Sequence, residues 1–197
     1  MALPITLAVV ALLLLALAVY VATRPPVLRV ERSAVVGAPA AVVFPIINEL
    51  HQWHRWSPYD KRDPDMKRTF DGPPAGPGSV YAWNGNKHVG EGRMTILEST
   101  PNERVHMKLE FVRPFACTNR VTFTLAPSAG GTRVSWLMEG KNTLTGKVLS
   151  LFINMDKMVG TDFEQGLSNL DAAARAVAQQ PGRDGHAGAR REATIPA

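Results

Sequence analysis

Cysteine is nearly missing from this chain: Cys117 is the only one in 197 residues. One thiol excludes an internal disulfide and any paired-cysteine metal knuckle, and leaves the redox compartment open. Aromatic residues are sparse at 7%, yet three of them, with two histidines, crowd into His51–Asp60, HQWHRWSPYD. No run of five or six basic residues occurs, although the formal net charge is +5 and the pI about 9.7. That scatter, without a nucleic-acid-binding motif, argues against a nucleic-acid partner, while the positive balance suits anionic lipid or another acidic surface. There is no GxSxG nucleophile turn and no GxGxxG phosphate loop, so neither a serine hydrolase nor a dinucleotide site is indicated. Nothing calls for a cofactor.

Charge is also absent from Leu3 to Ala22, LPITLAVVALLLLALAVYVA. Twenty apolar residues at about 1.5 Å each make a helix of roughly 30 Å, the hydrocarbon thickness of a bilayer. Tyr20 stands near one end, where aromatic rings favour the interface, and Arg24 with Pro25-Pro26 stops the run. A cleaved signal peptide is the competing reading. It fits less well, because the run is longer than an h-region, no basic residue precedes it and Tyr20 occupies the −3 place of a cut after Ala22. Residues 1–26 are therefore expected to be a transmembrane anchor. Arg24, Arg29 and Arg32 follow the run, so the positive-inside rule expects the body on the cytoplasmic side.

Residues 27–179 are expected to form one α+β domain, and 180–197, rich in Gly, Ala, Arg and Pro, a disordered tail in which His186 is solvated. VLRVERSAVVG predicts a strand. AAVVFPIINEL has helical spacing at Val42, Val43, Ile46, Ile47 and Leu50, with Pro45 expected to divide it into two pieces. The segment KRDPDMKRTFDGPPAGPGS predicts a solvated loop. Beyond it SVYAWNG, HVGEGRMTILES, RVHMKLEF, TNRVTFTLAP and TRVSWLMEG alternate apolar and polar residues, as antiparallel strands with one wet face do. PSAGG predicts a hairpin turn, and MDKMVGTDFEQGLSNLDAAARAV a long amphipathic helix.

A strand, two small helices, a run of antiparallel strands and one long terminal helix make a helix-grip pattern. WSPYDKRDPDMKRTFDGPPAGPGSVYAWNGNKHVGEGRMTI, PFACTNRVTFTL, TRVSWLMEG and MVGTDFEQGLSNL resemble the SRPBCC (START-like) superfamily, within it the polyketide cyclase/dehydrase and lipid-transport-like group. The resemblance runs from about Val27 to Ala178. It implies a curved antiparallel sheet wrapped on the long C-terminal helix, with an apolar cavity between them.

Several constellations compete for a site. His51, His54 and Asp60 could ligate a metal, but a zinc site needs three or four converging ligands. The simpler reading has Trp53 and Trp56 close the end of the core and Ser57-Pro58 stop the helix, and no metal is expected. Asp60, Asp63, Asp65 and Asp71 lack the glycine and distal glutamate of a calcium loop. Gly85, Gly90 and Gly92 suit a turn and a bulge. Asp162 and Glu91 are the carboxylates that could move protons, against a capping or surface role for Asp162. Trp83, Met94, Met107, Phe111, Phe123, Trp136, Met138, Met158 and Phe163 fall on expected inward faces. They are the expected lining for a loosely shaped apolar guest, or else plain core. The preferred expectation is a membrane-anchored domain binding a hydrophobic small molecule or lipid. The alternatives are a cyclase/dehydratase-like enzyme using a cavity carboxylate and a scaffold with a solid core.

Overall fold

The computed structural model describes residues Ala2–Gln179; the tail expected from residue 180 onward lies outside the described residues. Helix α1, Ala2–Thr23, is long and apolar enough to cross a membrane, and most of its large side chains are exposed. The body then opens with β1 (Val27–Val36) and α2 (Ala40–Asn48), followed by a 3-10 turn at Leu50–Arg55. Strands β2 (Lys67–Asp71), β3 (Val80–Asn84), β4 (Glu91–Thr100), β5 (Arg104–Arg113), β6 (Cys117–Ser128) and β7 (Gly131–Lys141) come next. Helices α3 (Leu144–Leu149) and α4 (Met155–Ala178) end the described chain.

All strand pairs are antiparallel, in the order β1-β7-β6-β5-β4-β3-β2, so the sheet is a meander whose last strand meets its first. The fold is α+β, with the helix-grip arrangement of a seven-stranded sheet and a long C-terminal helix. Alternation sets which face is dry. Val105, Met107 and Leu109 of β5, Val121, Phe123 and Leu125 of β6, and Val134, Trp136 and Met138 of β7 are all buried. The residues between them stand towards solvent.

Helix α4 buries Phe163, Gly166, Leu167, Leu170 and Ala174 along one stripe. Asn154 caps its start, the side-chain oxygen accepting from the Lys157 N–H at 2.9 Å. Arg32 of β1 ties down its first three turns through Asp156 at 3.1 Å and Glu164 at 2.7 Å, drawing the Asp156 carboxyl below its ordinary range. Gly166 lets the sheet approach: a Cβ there would lie 2.7 Å from the Trp136 ring.

Three local expectations are corrected. Pro45 does not divide its helix. Helix α2 runs through it to Asn48, and the break falls at the extended Glu49, whose N–H still reaches the Pro45 carbonyl at 3.0 Å. Pro45 forgoes a single i→i−4 hydrogen bond, and the helix carries on through it to Asn48. The stretch from Lys61 is not all loop, because it holds the edge strand β2. Nor is that stretch fully solvated, since Asp63 and Met66 in it, and Asp60 just before it, are buried. Asp60 pairs with Arg68 at 2.6 Å, and Asp63 accepts from the Asn86 N–H at 2.7 Å, so these two acids pin the loop to the sheet while Asp65 and Asp71 stay exposed.

Candidate ligand groove and the aromatic core

The crowded decapeptide is a corner. The Trp53 indole donates to the Ile47 carbonyl at 2.9 Å, and the ring packs 4.7 Å from that of Trp56, which is wholly buried. Asn169 of α4 donates to the Trp56 carbonyl at 2.9 Å and closes the corner against the long helix. His51 stacks on Phe70 with centroids 3.9 Å apart, the His54 ring nitrogen lies 2.7 Å from the His51 carbonyl, and Asp60 is engaged by Arg68. The three groups once considered together face three different partners.

The expected apolar lining separates into three places. Phe123, Trp136 and Phe163 meet under α4: Trp136 stacks on Phe163 at 4.0 Å and 9°, and packs tilted against Phe123 at 4.9 Å and 36°. Trp53 and Trp56 pack on the same cluster. Met94, Met107 and Met138 are buried in the core around it. Two donors inside it, the indole N–H groups of Trp56 and Trp136, have no hydrogen-bond partner among the described residues. Met158 is half exposed, on α4 close to its start. Trp83 and Phe111 form the third place, an edge-to-face pair 5.7 Å apart at one end of the sheet, both part-exposed.

This last pair lines a groove of about 750 Å³. The groove crosses the ends of β2 to β6 and takes residues from both faces of the sheet. Thr69, Ala82, Arg93, Glu110 and Thr118 stand in one outward row, and Trp83, Gly92, Phe111 and Cys117 in the neighbouring inward row. A turn and a bulge shape it. The Gly85 N–H donates to the Gly90 carbonyl at 2.9 Å, Gly90 holds φ at 67°, and the register slips between Glu91 and Gly92. A Cβ on Gly92 would come within 2.7 Å of the Trp83 ring, so glycine is what lets the indole lie across the strand. The Trp83 N–H donates to the Val89 carbonyl at 3.1 Å and fixes the ring.

Both carboxylates at the rim are paired, while Lys67 there has no ion pair among the described residues. Arg93 and Lys108 both reach Glu110, at 2.8 and 3.1 Å, and the Arg93 hydrogen bond holds the Glu110 carboxyl below its usual range. Glu91 is bound by Arg113 at 2.8 Å. The other candidate proton carrier, Asp162, is neither a cap nor on the surface. It is buried in mid-helix and receives both terminal nitrogens of Arg62, one of them at 3.0 Å. A second hollow of about 460 Å³ is lined by that pair together with Pro58, Lys61 and Thr161. Burial, and then the negative Asp162, push the neighbouring Tyr59 hydroxyl far above its ordinary range. Sequence reading missed Arg62, because its partner lies a hundred residues away and no local pattern links them.

Residues 27–175 match the family described as polyketide cyclase / dehydrase and lipid transport. The chain belongs to this family. No curated protein matches it. A crystal structure from Chromobacterium violaceum superposes with a TM-score of 0.54 at 20% identity, covering 77% of this chain and 98% of that one. The solution structure of the Aha1 dimer from Colwellia psychrerythraea gives 0.54 at 13%, covering 75% and 96%. DynU16, a protein of the dynemicin biosynthetic locus, gives 0.50 at 14%, covering 77% of this chain and 47% of its own. At these identities the likeness is one of fold.

Proposed function

We propose that this family member is a membrane-anchored binding domain for a hydrophobic small molecule or lipid, with α1 as the anchor and residues 27–179 as the binding body. The observation that carries the reading is the part-exposed pair Trp83 and Phe111, lining a groove at the end of the sheet where α1 joins the body. The register supports that placement: Val27 pairs with Lys141, Asn119 with Gly140, Phe111 with Cys117 and Glu91 with Arg113, so all these residues share one end. A guest lies over Trp83 and Phe111; to go deeper, its apolar part must displace the buried side chains of Met94, Met107, Met138 and the packed cluster of Phe123, Trp136 and Phe163, while Met158 stands half exposed on α4. Methionine side chains reshape at low cost around such a guest. Burial at roughly 25 cal/mol per Å² supplies the affinity without charged contacts.

The enzymatic alternative needs a desolvated carboxylate free to exchange a proton. Glu91 and Asp162 are each held by an arginine, which favours binding over catalysis.

The test is photolabelling of the full chain in phospholipid vesicles with a diazirine-bearing fatty acid. Labelled peptides should include residues 80–93 and 105–118, and Trp83→Ala should diminish them. Labelling confined to residues 3–23 would overturn the reading.

A further inference from the structure

The segment joining β7 to α4, KNTLTGKVLSLFINMDK from Lys141, reads as a connector, yet it carries more bare hydrocarbon than any other part of the body. Phe152 is 83% exposed and Leu144 69%, and Leu151 and Val148 are also exposed. Helix α3 buries none of its six residues. Water-facing phenyl and leucyl groups in such density mark a surface that meets something apolar.

The occupant follows from position and charge. Asn142 binds the chain where it leaves α1: its N–H donates to the Pro26 carbonyl at 2.9 Å and its side-chain amide to the Pro25 carbonyl at 3.0 Å. Helix α3 also touches α1. The segment is thus held at the foot of the proposed anchor. Lys141, Lys147 and Lys157 punctuate it, and its one acid, Asp156, is neutralised by Arg32. Among the described residues those three lysines form no ion pair. Exposed Phe and Leu interleaved with free Lys fit a bilayer interface bearing anionic headgroups. A second point of the same kind stands across the sheet end. Val112, next to the end of β5, is exposed and rims the groove, and the β5–β6 turn carries Phe115, 59% exposed.

We propose that the α3 segment, from Leu144 to Phe152, is an interfacial docking surface for an anionic bilayer. Together with Phe115 it seats the body on the membrane, so that the groove opens against the headgroups. The inference rests on the reading of α1 as an anchor, and adds to it a second contact that the anchor alone does not require.

The test uses the full chain carrying Cys117→Ser and one of three reporters: Phe152→Cys, Phe115→Cys, or Ala129→Cys in the β6–β7 hairpin at the opposite end. Each is labelled with an environment-sensitive fluorophore and reconstituted into phosphatidylcholine vesicles with or without phosphatidylglycerol. Flotation that resists alkaline carbonate reports the anchor independently. The expected result is quenching by lipid-borne nitroxide of at least about twofold for the Phe152 and Phe115 reporters, stronger with phosphatidylglycerol, and none for Ala129. Chains that float while all three reporters stay unquenched would refute the docking surface and leave the anchor standing. Chains that fail to float would refute both. Reporters shielded from aqueous iodide but untouched by lipid nitroxide would mean that a protein, such as a second copy, covers the segment, and would also refute it.

Discussion

Arg62 and Asp162 offer a measurement that separates a structural carboxylate from a catalytic one. The Asp162 side chain is 10% exposed and the Arg62 side chain 43%. Removing one partner from a fully buried pair costs about 3–5 kcal/mol, and an exposed pair contributes about 0–1 kcal/mol. Here the carboxylate is buried and the guanidinium half in water, so Arg62→Ala, which strands the buried charge, should cost about 2 kcal/mol. For a body of this size each kcal/mol moves the midpoint by roughly 2–4 °C, so the shift is about 4–8 °C. Asp162→Asn should cost less, about 1 kcal/mol, because the arginine left behind keeps its water. The double variant should be more stable than Arg62→Ala alone, since no stranded charge remains. Thermal melts of the full chain in vesicles, followed by tryptophan emission, read this cleanly because all four tryptophans lie in the body. An Asp162→Asn loss equal to or above that of Arg62→Ala, or a double variant no better than Arg62→Ala, would refute the reasoning. Photolabelling of the groove should survive Asp162→Asn unchanged.

Two further outcomes follow from the sheet. Gly92→Ala should lower stability by about 1–3 kcal/mol and reduce labelling at Trp83, because the added methyl collides with a ring and a strand that cannot both move; melts and labelling that match the parent would contradict this. His106, 2.9 Å from the Thr122 hydroxyl, has its pKa lowered from 6.5 by burial and then by Arg120. The folded chain therefore holds this proton less tightly than the unfolded chain, so His106 contributes stability above pH 6.5 that is lost as pH falls through the lowered value. His106→Gln should flatten the melting temperature between pH 5 and 7 relative to the parent, and an unchanged slope would count against it.

The central strands were legible because their alternation is a direct record of one dry and one wet face. Strand β2 was not. It is a short charged edge, KRTFD, with no buried residue to create a period. Helix α3 escaped for the same reason. Charge in sequence also misleads where pairing is distant: Asp60 and Asp63 look solvated until Arg68 and the Asn86 N–H are placed beside them. For the groove, Trp83 and Phe111 were named among the lining residues, but so were Phe123 and Trp136, which interlock in the core. A side chain that packs against its neighbours and one that waits for a guest leave the same apolar letter on the same face. Only exposure at the end of the strand tells them apart.

The clasp of Asn142 on Pro25 and Pro26 has a consequence for how cargo could travel. Only Arg24 to Pro26 separate α1 from β1, a leash of at most roughly 11 Å even when drawn straight. With α1 embedded, such a body has no room to shuttle between distant membranes. On the proposed function, a held guest is then picked up and handed over on the spot, to an acceptor that comes to it.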